Sequence, residues 1–293
     1  MPVRSKNLQN PQKVAKSVYS VIFDQEDSLE ARFGSNQGFV VLDDSVLVFD
    51  TGFSNRAAKS LDLAIAQVTD KKVRYIVNSH DHSDHIFGNS YFSKKYSTFG
   101  LNIISHEICA RRFERLGVER LNAYKKSDKE LAQVLSSVSI VAPKMTYSDI
   151  GVSLKIEGIE FAIIHPENGA HTLGDTILAM PEKGVMFLGD VFLNSFFPNV
   201  EDANIEGWID SLSSIDYKTY SKFLPGHGKL GGKKEVVAFS NYMRELRDRL
   251  LKVGPKPDRQ KLRSCFEIEG TEDWNSIFML DLSIDALLGK FHS

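Results

Sequence analysis

Three histidines and two aspartates lie within the six residues His80-Asp81-His82-Ser83-Asp84-His85. Imidazole nitrogens and carboxylate oxygens are the ligands that zinc and related divalent ions take in proteins, at about 2.0–2.2 Å. Because His80 and His82 are two positions apart, their side chains point the same way in an extended segment. Asp84 and His85 follow where the chain must turn. One short loop could therefore supply two neighbouring metal ions; an ordinary exposed polar loop is the alternative.

Three more residues share a placement in loops that follow predicted strands. His171 lies in the segment 169–176, Asp190 follows the strand 185–188, and His227 lies in a Pro-Gly-His-Gly segment. Each alone is more typical of a structural role, but an α/β scaffold places its site in such loops. The two oxygens of Asp190 could bridge two metal ions. Five of the eight histidines of the chain are thus assigned to one site.

Alternating and helical apolar patterns predict the elements that must position this site. Strands are expected at 17–23, 38–42, 46–49, 73–77, 101–104, 152–156, 159–164, 176–180, 185–188 and 223–224. Helices are expected at 54–68, 205–215 and over most of the tail from residue 235, with a break at 254–257. The charged segment 106–138 is interpreted as a helical insertion over the surface. Two β-sheets with helices outside would fit this order.

Composition excludes several classes of protein. The 293 residues carry a net charge of −2 and are 42% hydrophobic, with only two cysteines. These values are not those of a disordered chain or a disulfide scaffold. The near-neutral charge gives no general attraction to nucleic acid or to anionic membranes. No apolar run approaches the ~20 residues that span a bilayer, and the polar start lacks the apolar core of a signal peptide. A cytoplasmic enzyme with a small-molecule substrate is expected.

The residues His80-x-His82-x-Asp84-His85 resemble the H-x-H-x-D-H signature of the metallo-β-lactamase fold superfamily. His171, Asp190 and His227 follow in the order of that family's other ligands. The resemblance extends over about residues 17–243. It implies a four-layer αββα sandwich with the metal site at one edge of the two sheets. We expect a single domain over 1–293, with a core at about 17–243, a helical insertion at about 106–138 and a helical C-terminal extension at 244–293.

The resemblance also implies a division of the ligands between two divalent ions, with zinc expected and iron or manganese as alternatives. His80, His82 and His171 would hold the first ion. Asp84, His85 and His227 would hold the second, and Asp190 would bridge the two. A hydroxide shared by the ions would attack an acyl bond, and Asp84 would orient it and carry a proton to the leaving group. Asp50 matches a position that supports the ligands from behind; a turn aspartate is the alternative.

Departures from the family's pattern bear on the substrate. The lactamases with a Pro-Gly-His-Gly ending have Cys where this chain has Asp190, and a substrate-binding Lys where it has Leu193. The segment 199–212 nevertheless looks like the lactamase sequence, and also like zinc hydrolases associated with quinoprotein or sulfur-oxidation gene sets. Hydrolysis of a β-lactam or other amide, a thioester, or an ester or lactone is expected, with β-lactamase-like activity first. A mononuclear iron persulfide-type dioxygenase and a phosphodiesterase or nuclease are the alternatives.

Other residues have open interpretations. His106 could lie at the rim of the pocket or on the surface, and Asn199 could donate to an oxyanion or belong to an ordinary loop. His165 is interpreted as structural, and Cys109 and Cys265 as ordinary thiols without a metal or redox partner. The basic stretch 244–263 is expected to be a solvated helical face rather than a nucleic-acid site. The insertion has apolar residues that could form a lid or the face of a homodimer, namely Phe113, Leu116, Leu121 and Tyr124.

Overall fold

Two β-sheets packed face to face form the centre of the protein. The structure is a computed structural model that describes residues 10–23 and 33–292. The first sheet has seven described strands in sequential order: β1 (Gln12–Ala15), β2 (Val18–Val21), β3 (Gln37–Val41), β4 (Ser45–Phe49), β5 (Lys72–Val77), β6 (Asn102–His106) and β7 (Met145–Tyr147). Strands β1 to β4 pair antiparallel, and β4 to β7 pair parallel.

The second sheet has five described strands in the order β12-β11-β10-β9-β8. They are β8 (Gly151–Ile156), β9 (Ile159–Ile164), β10 (Ile177–Met180), β11 (Val185–Leu193) and β12 (Lys222–His227). Strands β8 to β11 pair antiparallel, whereas β11 and β12 are parallel. Each sheet therefore contains parallel strands whose carboxyl ends can contribute to one site.

Helices cover the outer faces of both sheets. They are α1 (Asn55–Ala66), α2 (Ser83–Ile86), α3 (Asn89–Tyr96), α4 (Glu107–Ser127), α5 (Lys129–Val134), α6 (Ile205–Ser213), α7 (Lys233–Lys252), α8 (Arg259–Phe266) and α9 (Ile277–His292). One apolar cluster joins the facing sides of the sheets, where the rings of Phe49 and Phe187 are 5.6 Å apart. Two other clusters join the outer faces to α1 and α3 and to α6–α9. The predicted αββα sandwich is confirmed.

Most elements begin and end close to their predicted bounds, since the apolar patterns are clear. Helix α1 begins after Ser54, whose side chain accepts a hydrogen bond from the backbone N–H of Ala57 at 3.1 Å, as expected for an N-cap. Among the predicted strands, the carboxyl ends of two extend furthest beyond the prediction. β11 continues through Asp190 to Leu193, and β12 continues to His227. These metal-ligand candidates lie within strands and not in the loops after them, because the β11–β12 pairing resumes beyond Gly189.

The insertion and the tail are helical, as predicted. Of the apolar residues proposed for a lid or dimer face, Phe113 and Leu121 are buried and Tyr124 packs against Phe33 and Phe53. These three side chains belong to the protein's own core, because α4 is amphipathic and turns its apolar face inward. The expected boundary at residue 243 lies inside α7. No helix of the described residues is long and apolar enough to cross a membrane.

Candidate metal centre

The candidate ligands come together where parallel strands of both sheets end. β4 is followed by Asp50, β5 leads into the loop of His80, and β12 ends at His227. The backbone N–H of Asn78 donates to Ile104 of the neighbouring strand at 2.9 Å, which fixes the start of the loop. Ligand sites of α/β folds commonly lie at the carboxyl ends of parallel strands. The predicted convergence of these residues is therefore explained by the sheet topology.

The first group of ligand atoms is made of three histidines. Suitable nitrogens of His80, His82 and His171 all lie within 4.8 Å of one another. Nε2 of His171 is 2.9 Å from Nδ1 of His82. His171 is held by a loop that closes on Asp175, whose Oδ2 accepts from the backbone N–H groups of Ala170 and Thr172. Asp175 was not predicted as a site residue, and burial raises its pKa to about 7.

The second group contains one carboxylate and two histidines. Ligand atoms of Asp84, His85 and His227 also lie within 4.8 Å of one another. Oδ2 of Asp84 is 3.3 Å from Nε2 of His85 and 3.2 Å from Nε2 of His227. Asp84 and His85 belong to the short helix α2, which starts right after His82. The turn of this helix separates the two groups of ligands supplied by one segment.

Asp190 lies between the two groups, with its oxygens directed to different histidines. Its Oδ2 is 3.4 Å from Nε2 of His171 in the first group. Its Oδ1 is 3.1 Å from Nε2 of His85 and 3.6 Å from Nε2 of His227 in the second. Asp190 thus lies close to histidines of both groups, and its ligand atom is also within 4.8 Å of those of His80 and His85.

Several buried polar atoms of the centre make no hydrogen bond within the described part of the chain. Nε2 of His80 accepts and donates no hydrogen bond, and Nε2 of His85 and Oδ1 of Asp190 face each other without hydrogen-bonding geometry. Buried polar atoms are almost always satisfied in folded proteins. Imidazole and carboxylate ligands suit divalent cations, so these atoms fit a site for such ions.

Asp50 and Ser79 fix the far side of two ligand rings. Oδ2 of Asp50 is 2.7 Å from Nδ1 of His85 and accepts from the Ser79 hydroxyl at 2.6 Å. The same hydroxyl oxygen is 2.9 Å from Nδ1 of His80. With Nδ1 as the donor in each ring, Nε2 is left as a metal ligand. The placement of Asp50 agrees with the supporting role expected of it; Ser79 was missed, since a lone serine carries no signal.

Helix α4 of the insertion also supports the loop that carries His80 and His82. Arg112 and Arg120 of α4 both bind the buried carboxylate of Asp81, at 3.1 and 2.8 Å. Arg112 also donates to Asp202 at 2.6 Å, and Asp202 is 3.4 Å from Nε2 of His82. None of these four charged residues was predicted. The eight-residue spacing of the arginines, about two helical turns, was the available signal for a shared face.

Burial and neighbouring charges set the protonation of the ligands in opposite directions. Burial lowers the pKa of His80 far below its usual value and that of His171 to about 4, so both rings are neutral and ready to bind a metal. Burial also lowers the pKa of His85, but Asp190, Asp84 and Asp50 outweigh it and raise the pKa well above the usual value. A metal must therefore displace a proton there.

The remaining candidates have different placements. Asn199 lines the cleft above the ligands, and its Oδ1 accepts from the backbone N–H of Glu201 at 3.0 Å. His106 does not line this cleft. It is buried, caps α4 through the N–H of Ile108, and stacks on His165 with ring centres 3.7 Å apart. Burial and the adjacent His165 lower the pKa of His106.

Histidine and aspartate side chains form the bottom of the cleft, and most of the residues around them are apolar. Its wall residues are Leu193, Phe196, Phe197, Asn199, Ser276 and Met279. Ser276 and Met279 come from the C-terminal segment and were not predicted. Nothing in their own sequence marks them, because the contact depends on the packing of the tail against the second sheet.

Comparison with known proteins establishes the family. The sequence model of the metallo-beta-lactamase superfamily matches residues 31–227 of the chain. The chain therefore belongs to the metallo-β-lactamase superfamily, as its signature residues predicted. Divalent metals are the general cofactors of this superfamily, and the histidine and aspartate groups could hold them.

Solved structures share the fold at low sequence identity. A stereoselective inverting sec-alkylsulfatase, Pisa1 from Pseudomonas sp., superposes with a TM-score of 0.70 and 14% identity over 96% of this chain and 50% of its own. The structure of TMB-1 superposes with a TM-score of 0.61 at 15% sequence identity, and the match covers 82% of this chain and 98% of that one. A metallo-beta-lactamase from Pontibacter korlensis superposes with a TM-score of 0.62 at 17% sequence identity, and the match covers 80% of this chain and 99% of that one. The chain spans about half the length of the alkylsulfatase.

Proposed function

We propose that the protein is a hydrolase of acyl bonds that uses two divalent ions. The observation that carries this proposal is the position of Asp190, whose Oδ2 faces His171 while Oδ1 faces His85 and His227. A carboxylate shared in this way is suited to bridging two cations. A single cation could take ligands from both groups, since ligand atoms of His80, His85 and Asp190 also lie within 4.8 Å of one another, but it would leave other candidate ligands unused. The fit of the residues thus favours two ions over one.

Zinc is the ion that we propose for both positions. Five histidines and two carboxylates provide nitrogen and oxygen donors, which match zinc sites with an open position for catalysis. Iron and manganese take similar donors, so the ion must be measured. When bound, two such ions supply Lewis-acid chemistry: they lower the pKa of a water towards ~7 and polarise a carbonyl.

Asp84 is the residue that we assign to proton transfer. It lines the cleft, and 11% of its side chain is exposed. Burial raises the pKa of this carboxyl group, but His85 and His227 outweigh it and hold the pKa well below its usual value. Asp84 is therefore ionised; it would accept a hydrogen bond from the attacking water and pass the proton on to the leaving group without holding it as a stable carboxylic acid.

Asn199 is the residue that we assign to substrate orientation. Because its Oδ1 is engaged by the backbone of Glu201, the Nδ2 group is the part of the side chain left to donate to a substrate oxygen. Such a donor stabilises negative charge that develops on an acyl oxygen. His106 has no part in this assignment.

The test combines metal analysis with a substrate panel. Elemental analysis of purified protein should give two zinc ions per chain. Chelator-sensitive turnover should appear with at least one of nitrocefin, S-lactoylglutathione, a lactone or a p-nitrophenyl ester, and β-lactamase-like activity is the first expectation. A phosphodiester tests the nuclease alternative. A secondary alkyl sulfate belongs in the panel because an alkylsulfatase shares the fold.

Matched variants locate the activity. His82→Ala and Asp190→Asn should abolish metal-dependent turnover. Asp62→Asn is the control: Asp62 is as buried as Asp190 and accepts from the hydroxyl of Tyr91, but it does not line the cleft. Full turnover in His82→Ala would contradict the proposal. One iron per chain with consumption of oxygen would favour the dioxygenase instead.

A further inference from the structure

We infer that the first turn of α9 and the residues just before it cover the candidate metal centre and must move aside before a substrate can enter. This cover consists of residues 275–279, which lie between Trp274 and Leu280. The inference rests on the proposed hydrolysis, because it concerns the access of an acyl substrate to the same cleft. Opening of the cover would then control entry to the ligand residues.

The closed cleft is too small for an acyl substrate. The free space above the ligand residues is about 20 Å³, and a cavity of this size holds about one water molecule. At its bottom the side chains of Asp84 and His227 are 11% exposed and that of Asp190 is 10% exposed. Ser276 and Met279 of the cover line this space. An attacking water therefore fits, whereas a β-lactam, a thioester or an ester requires the lining to move.

The cover is held less firmly than the rest of α9. Ile277 and Phe278 are 55% and 45% exposed, whereas Leu280, Ser283 and Ile284 farther along the helix are buried. Segments with few buried apolar contacts open at a lower free energy than the core of a protein. The cover can therefore separate from the cleft while the remainder of α9 stays in place.

Two backbone hydrogen bonds hold the cover on the cleft. Asn275 donates from its N–H to the carbonyl of Ser195 at 2.9 Å and accepts from the N–H of Phe197 at 3.1 Å. Ser195 and Ser276, beside this bridge, have φ angles of 61° and 70°. Such angles are unfavourable for serine. Because breaking the bridge frees both residues to leave this conformation, the strain favours opening.

The part of α9 beyond the cover is fixed to the loop that carries Asn199. The hydroxyl of Ser283 donates to the carbonyl of Pro198 and accepts from the N–H of Val200, both at 2.9 Å. Ser283 is fully buried. These contacts limit the movement: the bridge at Asn275 breaks, and the hydrogen bonds of Ser283 remain.

Hydrogen exchange of the protein as purified tests this opening without a substrate or a metal. The amide of Phe197 should be at least a hundredfold less protected than that of Phe223, whose N–H donates to Gly231 at 2.9 Å. The amide of Val200 should be at least tenfold better protected than that of Phe197. Low urea should not accelerate exchange at Phe197, because local opening exposes little surface. Equal protection and equal urea dependence at Phe197 and Phe223 would overturn the inference.

A variant with a looser cover extends this test. The ring of Phe278 meets that of Phe33 edge-on, with ring centres 5.6 Å apart, and such a contact changes an equilibrium about two- to tenfold. Phe278→Ala should accelerate exchange at Phe197 by this factor. Phe99→Ala is the control, because Phe99 is 49% exposed but lies outside the cover. Equal exchange at Phe197 in the two variants would mean that the cover does not control this amide, and would overturn the inference.

A disulfide across the bridge tests whether opening controls access. Phe196 and Asn275 are partners in an isolated parallel bridge, and such partners lie about 4.8 Å apart, within the reach of a disulfide. The natural cysteines Cys109 and Cys265 are buried. In the double variant Phe196→Cys/Asn275→Cys, oxidation should lower chelator-sensitive turnover at least tenfold, and reduction of the same preparation should restore it. The single variant Asn275→Cys should respond to neither treatment.

Removal of metal by EDTA separates failure of this inference from failure of the proposed function. In the reduced double variant the rate of metal loss should rise with EDTA concentration, because the chelator enters through the open cleft. Oxidation should lower this rate at least tenfold. If EDTA behaves in this way but no substrate of the panel is hydrolysed, the cover stands and acyl hydrolysis is wrong. Equal rates in the oxidised and reduced forms would overturn the inference and leave the proposed hydrolysis standing.

Discussion

Asp50 accepts a hydrogen bond from Nδ1 of His85 at 2.7 Å while its own backbone lies in the left-handed region, with φ at 58°. Aspartate tolerates this conformation better than most residues. The carboxylate is fully buried, and Ser79 donates to both of its oxygens, through the hydroxyl and the backbone N–H. The strained turn after β4 thus directs one carboxylate at the back of a proposed metal ligand.

Asp50→Asn should lower metal affinity 10- to 100-fold, the usual effect of losing a partner behind a ligand. Asparagine also tolerates the left-handed backbone, so the turn should survive. Its Nδ2 group, placed towards His85, would donate to Nδ1 and leave the ring proton on Nε2, the atom that faces Asp84 and Asp190. Competition with a metal chelator measures the affinity. Asp62→Asn is the matched control, and equal affinity in both variants would contradict this role of Asp50.

The convergence of the candidate ligands could be predicted because their signal is local or ordered along the chain. His80 to His85 carry the family signature within six residues, and His171, Asp190 and His227 follow in the family's order. The αββα fold followed from apolar patterns together with that resemblance. The exact strand ends could not be predicted, because β11 and β12 are extended by pairing with each other beyond Gly189.

Arg120→Gln should destabilise the fold and weaken the first ligand group. Arg120 donates to the carbonyl and carboxylate of Asp81 at 2.8 Å, and Asp81 is fully buried. Loss of a hydrogen bond to a buried charge costs about 1–3 kcal/mol. Urea denaturation measures the free energy of unfolding, and chelator competition measures metal affinity at the loop of His80 and His82.

Arg111→Gln provides the comparison for Arg120→Gln. Its partner Glu107 is four residues away on α4, and both side chains are well exposed. Such a pair contributes about 0.3–0.5 kcal/mol. If the two variants unfold at the same urea concentration, α4 does not support the signature loop through Arg120.

Unlike Asp50, the supports that come from the insertion and from the C-terminal segment were not predicted, because they join distant parts of the chain. Arg112 and Arg120 bind Asp81, but the sequence of their helix is typical of an ordinary charged surface helix. Asn275 reaches Ser195 through backbone atoms alone, so no side-chain pattern records the contact. Such long-range pairings depend on how the layers pack, and a single sequence does not report this.

Leu193→Lys should shift substrate preference towards carboxylates. The new ammonium group would reach a cleft in which no described lysine or arginine lies. A charge-assisted hydrogen bond of about 1.5–3 kcal/mol corresponds to at least tenfold in relative kcat/KM. The measured quantity is the ratio of nitrocefin, which carries a carboxylate, to p-nitrophenyl hexanoate. Leu193→Met conserves volume and should leave the ratio unchanged. If Leu193→Lys also leaves the ratio unchanged, the side chain at position 193 does not contact the substrate.

His106→Asn should make stability less sensitive to acid. Burial and His165 lower the pKa of His106 in the folded protein, whereas the unfolded chain has the usual value of about 6.5. Between these two pKa values the unfolded state binds more protons, so the free energy of unfolding falls as pH drops below about 6.5. Asparagine retains the cap of α4 but does not titrate. Urea unfolding measured from pH 7.5 to pH 5 gives the free energy of unfolding at each pH. This free energy should change less with pH in the variant than in the wild type, and an equal dependence on pH would contradict this explanation.

Gly226→Ala tests the bridging position of Asp190 without changing any ligand. A Cβ atom on Gly226 would lie 1.8 Å from Oδ1 of Asp190 and 2.9 Å from its backbone nitrogen. Contacts below 3.0 Å force a shift, and here the carboxylate must leave its place between the two groups of ligands. The first group, His80, His82 and His171, lies outside this contact.

The metal content of Gly226→Ala should therefore fall from two ions towards one, with at least a hundredfold loss of chelator-sensitive turnover. Elemental analysis and the substrate panel measure both effects on the same preparation. Gly289→Ala is the control, because a Cβ atom on Gly289 meets nothing within 4 Å and alanine favours the helix by about 1 kcal/mol. Two ions and full turnover in Gly226→Ala would mean that Oδ1 of Asp190 is not a shared ligand, and the proposal of two bridged ions would then be wrong.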